Sequence, residues 1–81
     1  MKISKKEMLK FMVINTMIKK MPSARTRVLE TANSHLESKQ ASYRLGLSDK
    51  NNLVLLYNGE VRLDFGGKVK NWNEKIKDIP G

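Results

Sequence analysis

Asn58-Gly59 lies between two apolar runs, Leu53-Val54-Leu55-Leu56-Tyr57 and Glu60-Val61-Arg62-Leu63-Asp64-Phe65. Asparagine and glycine both tolerate positive φ, so the chain reverses here through a two-residue type I′ turn and its flanks pair as an antiparallel hairpin. Unbroken pairing sets Leu56 against Val61 and Val54 against Leu63, which puts these four and Phe65 on one apolar face. Leu53, Leu55 and Tyr57 then occupy the other face, opposite Asp64, Arg62 and Glu60.

Residues 41–47 fit two readings. Tyr43, Leu45 and Leu47 alternate with Arg44, Gly46 and Ser48, which is a strand period and turns the hairpin into a three-stranded antiparallel meander through residues 48–52. Gly46 also suits the residue just past a helix that ends at Leu45, with Leu47 as the accompanying apolar contact. We take the preceding helix through about Gln40 and keep both readings of the segment that follows.

That helix is the second of two. The first opens at Ser4-Lys5-Lys6-Glu7, which has capping-box spacing: Ser4 accepts from the Glu7 amide and the Glu7 carboxylate reaches back to the Ser4 amide. It runs from about Lys5 to Met21, where Pro22 stops it. At about 100° per residue, Phe11, Val13, Ile14, Met17, Ile18 and Met21 share a broad apolar arc. Lys5, Asn15, Thr16, Lys19 and Lys20 fall opposite, and Met8, Leu9 and Met12 border that polar side. Ser23 can cap the second helix, whose stripe is Val28, Leu29, Ala32 and Leu36, with Glu30, Asn33, Ser34 and Glu37 turned away. Gly66-Gly67 ends the hairpin. Asn71-Trp72-Asn73-Glu74 caps a short last helix with the stripe Trp72, Ile76 and Ile79, too short to persist undocked.

The fold expected is therefore α+β in one small basic domain, residues 1–81: two N-terminal helices, a β-hairpin or three-stranded meander, and a short C-terminal helix. Its expected core is Phe11, Ile14, Met17, Ile18, Val28, Leu29, Ala32, Leu36, Val54, Leu56, Val61, Leu63, Phe65, Trp72 and Ile76.

Charge narrows the function. The chain carries 16 Lys and Arg against 8 Asp and Glu, a net +8. Residues 1–27 alone hold eight cations against Glu7, or +7, while residues 28–65 are near neutral. Such asymmetry favours a binder of something negative. The absence of cysteine excludes disulfides, thiolate metal sites and a cysteine nucleophile, and one histidine makes no transition-metal site; no metal or cofactor is expected. His35 lacks a second histidine or an acidic cluster, and Gly66-Gly67-Lys68 lacks the rest of a phosphate loop, so no catalytic constellation stands out. Met1–Lys6 has the charge of a secretion signal's start, but Glu7, Lys10, Asn15 and Thr16 interrupt the apolar run behind it. No membrane span and a cytoplasmic location are expected.

The function these features favour is non-catalytic binding of nucleic acid, RNA or DNA. Lys5, Lys6, Lys19, Lys20, Arg25 and Arg27 would contact phosphates, joined by Lys68 and Lys70 of the basic tail. Arg25 and Arg27 in the first turn of a helix oppose its dipole, which suits an external anion. The alternative is a small regulator or inhibitor that binds a protein partner, or a homodimer, through Met8, Leu9 and Met12 of the first helix, since thioethers suit adaptable interfaces.

Overall fold

In a computed structural model of the chain, which describes residues 3–67 and 69–80, Ser4 opens helix α1 (Lys5–Lys20) by accepting the Glu7 amide at 3.1 Å. The other half of the capping box is replaced: the Glu7 carboxylate accepts from Lys39 Nζ at 3.1 Å. Met21 leaves helical geometry before Pro22, and a tight 3₁₀ turn (Pro22–Ala24) leads into α2 (Arg25–Ser38). Ser23 therefore does not cap α2. Proline's fixed φ starts the tight turn one residue earlier, and α2 begins at Arg25 with Ala24 at its N-cap position and no side-chain cap.

The end of α2 settles the reading of the next segment. Gln40 takes φ 58°, its amide donates to Glu37 O at 3.0 Å, and the Ala41 amide donates to Leu36 O at 2.9 Å. This is a Schellman ending with buried Ala41 packed toward buried Leu36. Residues 43–47 are thus free to form strand β1 (Tyr43–Leu47). It pairs antiparallel with β2 (Leu53–Tyr57), which pairs with β3 (Glu60–Asp64), in the order β1-β2-β3. Gly46 serves the sheet instead of a helix end: a Cβ there would lie 2.8 Å from Leu56 Cδ1, which leans across it from the neighbouring strand.

Asn58 (φ 54°) and Gly59 (φ 78°) make the type I′ turn. The pairing beyond it is not unbroken. Tyr57 pairs with Glu60 and Leu56 with Val61, but then Leu55 pairs with Leu63 and Val54 with Asp64, so Arg62 is an extra residue, a β-bulge. The slip moves Leu63 to the face of Leu53 and Leu55, and Val61 is left 57% exposed on the other. Without it, Leu53 and Leu55 would share their face with Arg62 and Asp64. The displaced Arg62 guanidinium is held by Asp78 and the Lys75 carbonyl and lies 5.7 Å over the Tyr57 ring.

All helices cover one sheet face. Core residues Tyr43, Leu45, Leu53, Leu55, Leu63 and Phe65 alternate along the three strands, and α1, α2 and the short α3 (Trp72–Ile76) pack on β2, β1 and β3 respectively. Phe11 stands at the centre, with its ring edge-to-face to Tyr43 and to Phe65, centroids 6.0 Å apart in each case. Burial of the Tyr43 phenol, and secondarily the nearby Glu7 carboxylate, push its pKa up to about 12. Asn71 caps α3 through its backbone carbonyl only. Ile76 and Ile79 are buried, and Ser42 Oγ donates to Pro80 O, so the tail closes the Tyr43 end of the sheet.

The buried arc of α1 is rotated from the expected one. It holds Met8, Phe11 and Ile18 with half-buried Ile14 and Asn15; Val13, Met17 and Met21 are exposed. Asn15 explains the rotation. Its Oδ1 accepts the Leu53 amide at 2.9 Å and its Nδ2 donates to Phe65 O at 3.3 Å, where β2 and β3 diverge. Asn33, also expected to turn away, does the same on β1, accepting from Leu45 N at 2.8 Å and donating to Leu45 O at 2.9 Å. A side-chain amide thus replaces a missing fourth strand at that edge.

Candidate nucleic-acid interface

Because Asn15 turns the inner arc of α1 toward the sheet, its lysines are left outside. Lys5, Lys6, Lys10, Lys19 and Lys20 are all exposed. The described ion pairs are Lys39–Glu7, Arg62–Asp78 and Lys77–Glu74, so none of these five lysines is neutralised by a carboxylate. Lys19 Nζ makes one long contact, 3.4 Å to the Lys50 carbonyl.

The cations form two groups rather than one stripe. Lys5 and Lys6, with Lys10 a turn later, mark the start of α1, and Lys19 and Lys20 mark its end. At 1.5 Å per residue the groups are about 20 Å apart, roughly six base steps along one nucleic-acid strand. Between them α1 exposes Leu9, Met12, Val13 and Met17, at 52%, 41%, 60% and 44%.

Arg25 and Arg27 diverge. Two residues apart on a helix, they point to opposite sides: Arg27 is exposed, and half-buried Arg25 shares the side of Leu29 and Leu36. Arg27 lies beside Met17 near the end of α1, whereas Arg25 is partly withdrawn. Lys70 is exposed but precedes α3, which packs on β3 at the far side of the sheet from α2. It is not brought to the same surface as Arg27. Lys68 lies outside the described residues.

Of the residues expected to meet a protein partner, Leu9 and Met12 are exposed and Met8 is not. At 2% exposure Met8 belongs to the core, because the helix is rotated toward it by the inward-facing Asn15. Val13, Met17 and Met21, expected on the buried arc, are instead surface residues. A half-buried asparagine with two strand partners was the missing signal, and only the fold reveals it.

Among the described residues, one depression lies across the sheet from this surface and another lies beside it. One, about 460 Å³ on the uncovered sheet face, is lined by Ala41, Ser42, Arg44, Leu56, Asn58 and Gly59. Its only charged group, Arg44, is already bound to the carbonyls of Ala41 and Tyr43 at 2.7 and 2.8 Å. The other lies between α1 and α2. Among the described residues, no cluster of acidic, histidine or cysteine side chains could hold a metal, and no helix is long and apolar enough to cross a membrane. No protein-family model, curated protein or solved structure matches the chain.

Proposed function

We propose that the protein binds nucleic acid, RNA or DNA, without catalysis, by contacting phosphates through Lys5, Lys6, Lys19, Lys20 and Arg27. The observation that carries this reading is that the α1 lysines all project from the solvent side of a docked helix with no carboxylate among the described residues paired to them. A docked helix holds its charges at fixed spacing, which releases counterions from a phosphate backbone without ordering a flexible segment first. The mixed apolar and basic face offers few groups for reading base edges, so sequence-independent binding follows.

The test is fluorescence anisotropy on a mixed-sequence oligonucleotide at low salt. The wild type should bind, and Lys19→Glu/Lys20→Glu/Arg27→Glu should lose binding while keeping its circular dichroism spectrum. Leu9→Asp should leave binding intact. A triple variant that binds as well as the wild type refutes the proposal.

Exposure of Leu9 and Met12 supports a second reading, a protein contact through that flank of α1. Under it, Leu9→Asp would abolish a stoichiometric complex that survives nuclease treatment, and the charge reversals would matter less.

A further inference from the structure

The α1–α2 seam is under-filled. The two helices run side by side in opposite directions, joined by the Pro22–Ala24 turn at one end and the Glu7–Lys39 ion pair at the other. Between them lies an open groove of about 350 Å³ lined by Ile14, Met17, Arg27, Val28, Thr31 and Ala32. Of the 14 residues of α2 only Leu36 is fully buried; Val28 and Ala32 remain half-exposed because this groove leaves them uncovered. The groove lies on the flank of α1 away from Leu9 and Met12.

Charge identifies the occupant. Arg27 is the one charged residue in the lining, and Lys10 precedes Ile14 and Met17 on the same flank of α1. Glu37 lies on the opposite side of α2, Glu30 makes no described ion pair with Arg27 although it is one turn away, and Glu7 is held by Lys39. A second copy of this chain would bring the same cations against themselves. A bilayer is flat and cannot reach a recessed floor made by Ile14, Val28 and Ala32. Nucleic acid finds no donors on that floor. A helix with an apolar ridge and acidic flanks satisfies both the shape and the charge.

We propose that the groove between α1 and α2 is a docking site for an acidic amphipathic helix of a partner protein, its apolar ridge against Ile14, Met17, Val28 and Ala32 and its carboxylates toward Arg27 and Lys10. The site shares Arg27 with the proposed phosphate-binding surface, but its apolar lining does not rest on that reading.

The test is a methyl NMR titration of the full chain with three probes. The first is a synthetic peptide of about four helical turns, with leucines at i, i+3, i+4 and i+7 and glutamates flanking them. The second is its twin with lysine in place of glutamate. The third is phosphatidylcholine vesicles containing phosphatidylserine. The acidic peptide should shift the methyls of Ile14, Met17, Val28 and Ala32 with Kd tighter than about 100 μM. The lysine twin should bind at least about tenfold more weakly, as should the acidic peptide to Arg27→Glu, an exposed substitution that leaves the core untouched. Lys75→Glu on α3 should change nothing, which separates a site from general attraction. No binding of the acidic peptide, equal binding of both peptides, or equal loss in Lys75→Glu overturns the proposal. So do vesicles that shift the same methyls when the peptide does not, or self-association through this face that excludes the peptide.

Discussion

Replacing Asn15 by alanine removes the partner of two backbone groups at once. The Leu53 amide, on a residue with no exposed surface, loses the acceptor 2.9 Å away, and the Phe65 carbonyl loses its donor at 3.3 Å. An unsatisfied buried group costs about 1–3 kcal/mol, so Asn15→Ala should destabilise by roughly 2–4 kcal/mol. For a domain of this size that lowers Tm by about 10–25 °C. The neighbouring Thr16 is the internal control: it is exposed and its hydroxyl donates only to Met12 O, one turn back at 3.2 Å. Thr16→Ala should change stability by no more than about 0.5 kcal/mol. Asn15→Asp adds a pH arm. Its carboxylate keeps an acceptor for Leu53 but faces the Phe65 carbonyl, so burial and that carbonyl raise its folded pKa. The variant's stability should therefore be highest below the ordinary carboxyl range near pH 4 and fall as pH rises through the folded value. Urea unfolding of the three variants, followed by tryptophan fluorescence, measures all of this. Equal effects of Asn15→Ala and Thr16→Ala would show that α1 is not oriented as described.

Two further predictions concern stability. Gln40 holds φ 58° at the end of α2, a conformation that costs a side-chain-bearing residue about 1 kcal/mol, so Gln40→Gly should stabilise by about 0.5–1 kcal/mol in urea unfolding; destabilisation would refute the strain. Tyr43, with its pKa raised to about 12 against an ordinary 10.0, keeps its proton more firmly folded than unfolded. It has no effect on stability below pH 10 and removes stability between pH 10 and 12. Relative to Tyr43→Phe, the wild type should lose stability only above pH 10; parallel curves across that range would contradict the burial of the phenol.

The features legible in the sequence were those set by local chemistry. Asn58-Gly59 specified its turn, Pro22 stopped α1, and Trp72, Ile76 and Ile79 marked the stripe that docks the last helix. Long-range contacts decided the rest. The bulge at Arg62 depends on Asp78 from the far end of the chain and on α1 needing Leu53, Leu55 and Leu63 on one face, which no local period records. Asn15 and Asn33 look like surface residues on a helical wheel, and only their strand partners turn them inward. Gly46 is a plausible helix end in isolation, but α2 ends through Gln40 instead, where a non-glycine in left-handed geometry gives no sequence warning. For the site, exposure of the lysines was legible from their number on α1. Their division into two groups, and the divergence of Arg25 from Arg27, follow from helix length and phase.

Salt dependence tests the phosphate-binding surface most directly. Contacts by Lys5, Lys6, Lys19, Lys20 and Arg27 to B-form DNA predict a slope of log K against log salt of about −4.5, or roughly 500-fold weaker binding at 200 mM than at 50 mM salt. Lys19→Gln/Lys20→Gln/Arg27→Gln leaves two contacts, a slope of about −1.8 and only about a tenfold change. A wild-type slope near zero, or an unchanged slope in the triple variant, would contradict the account.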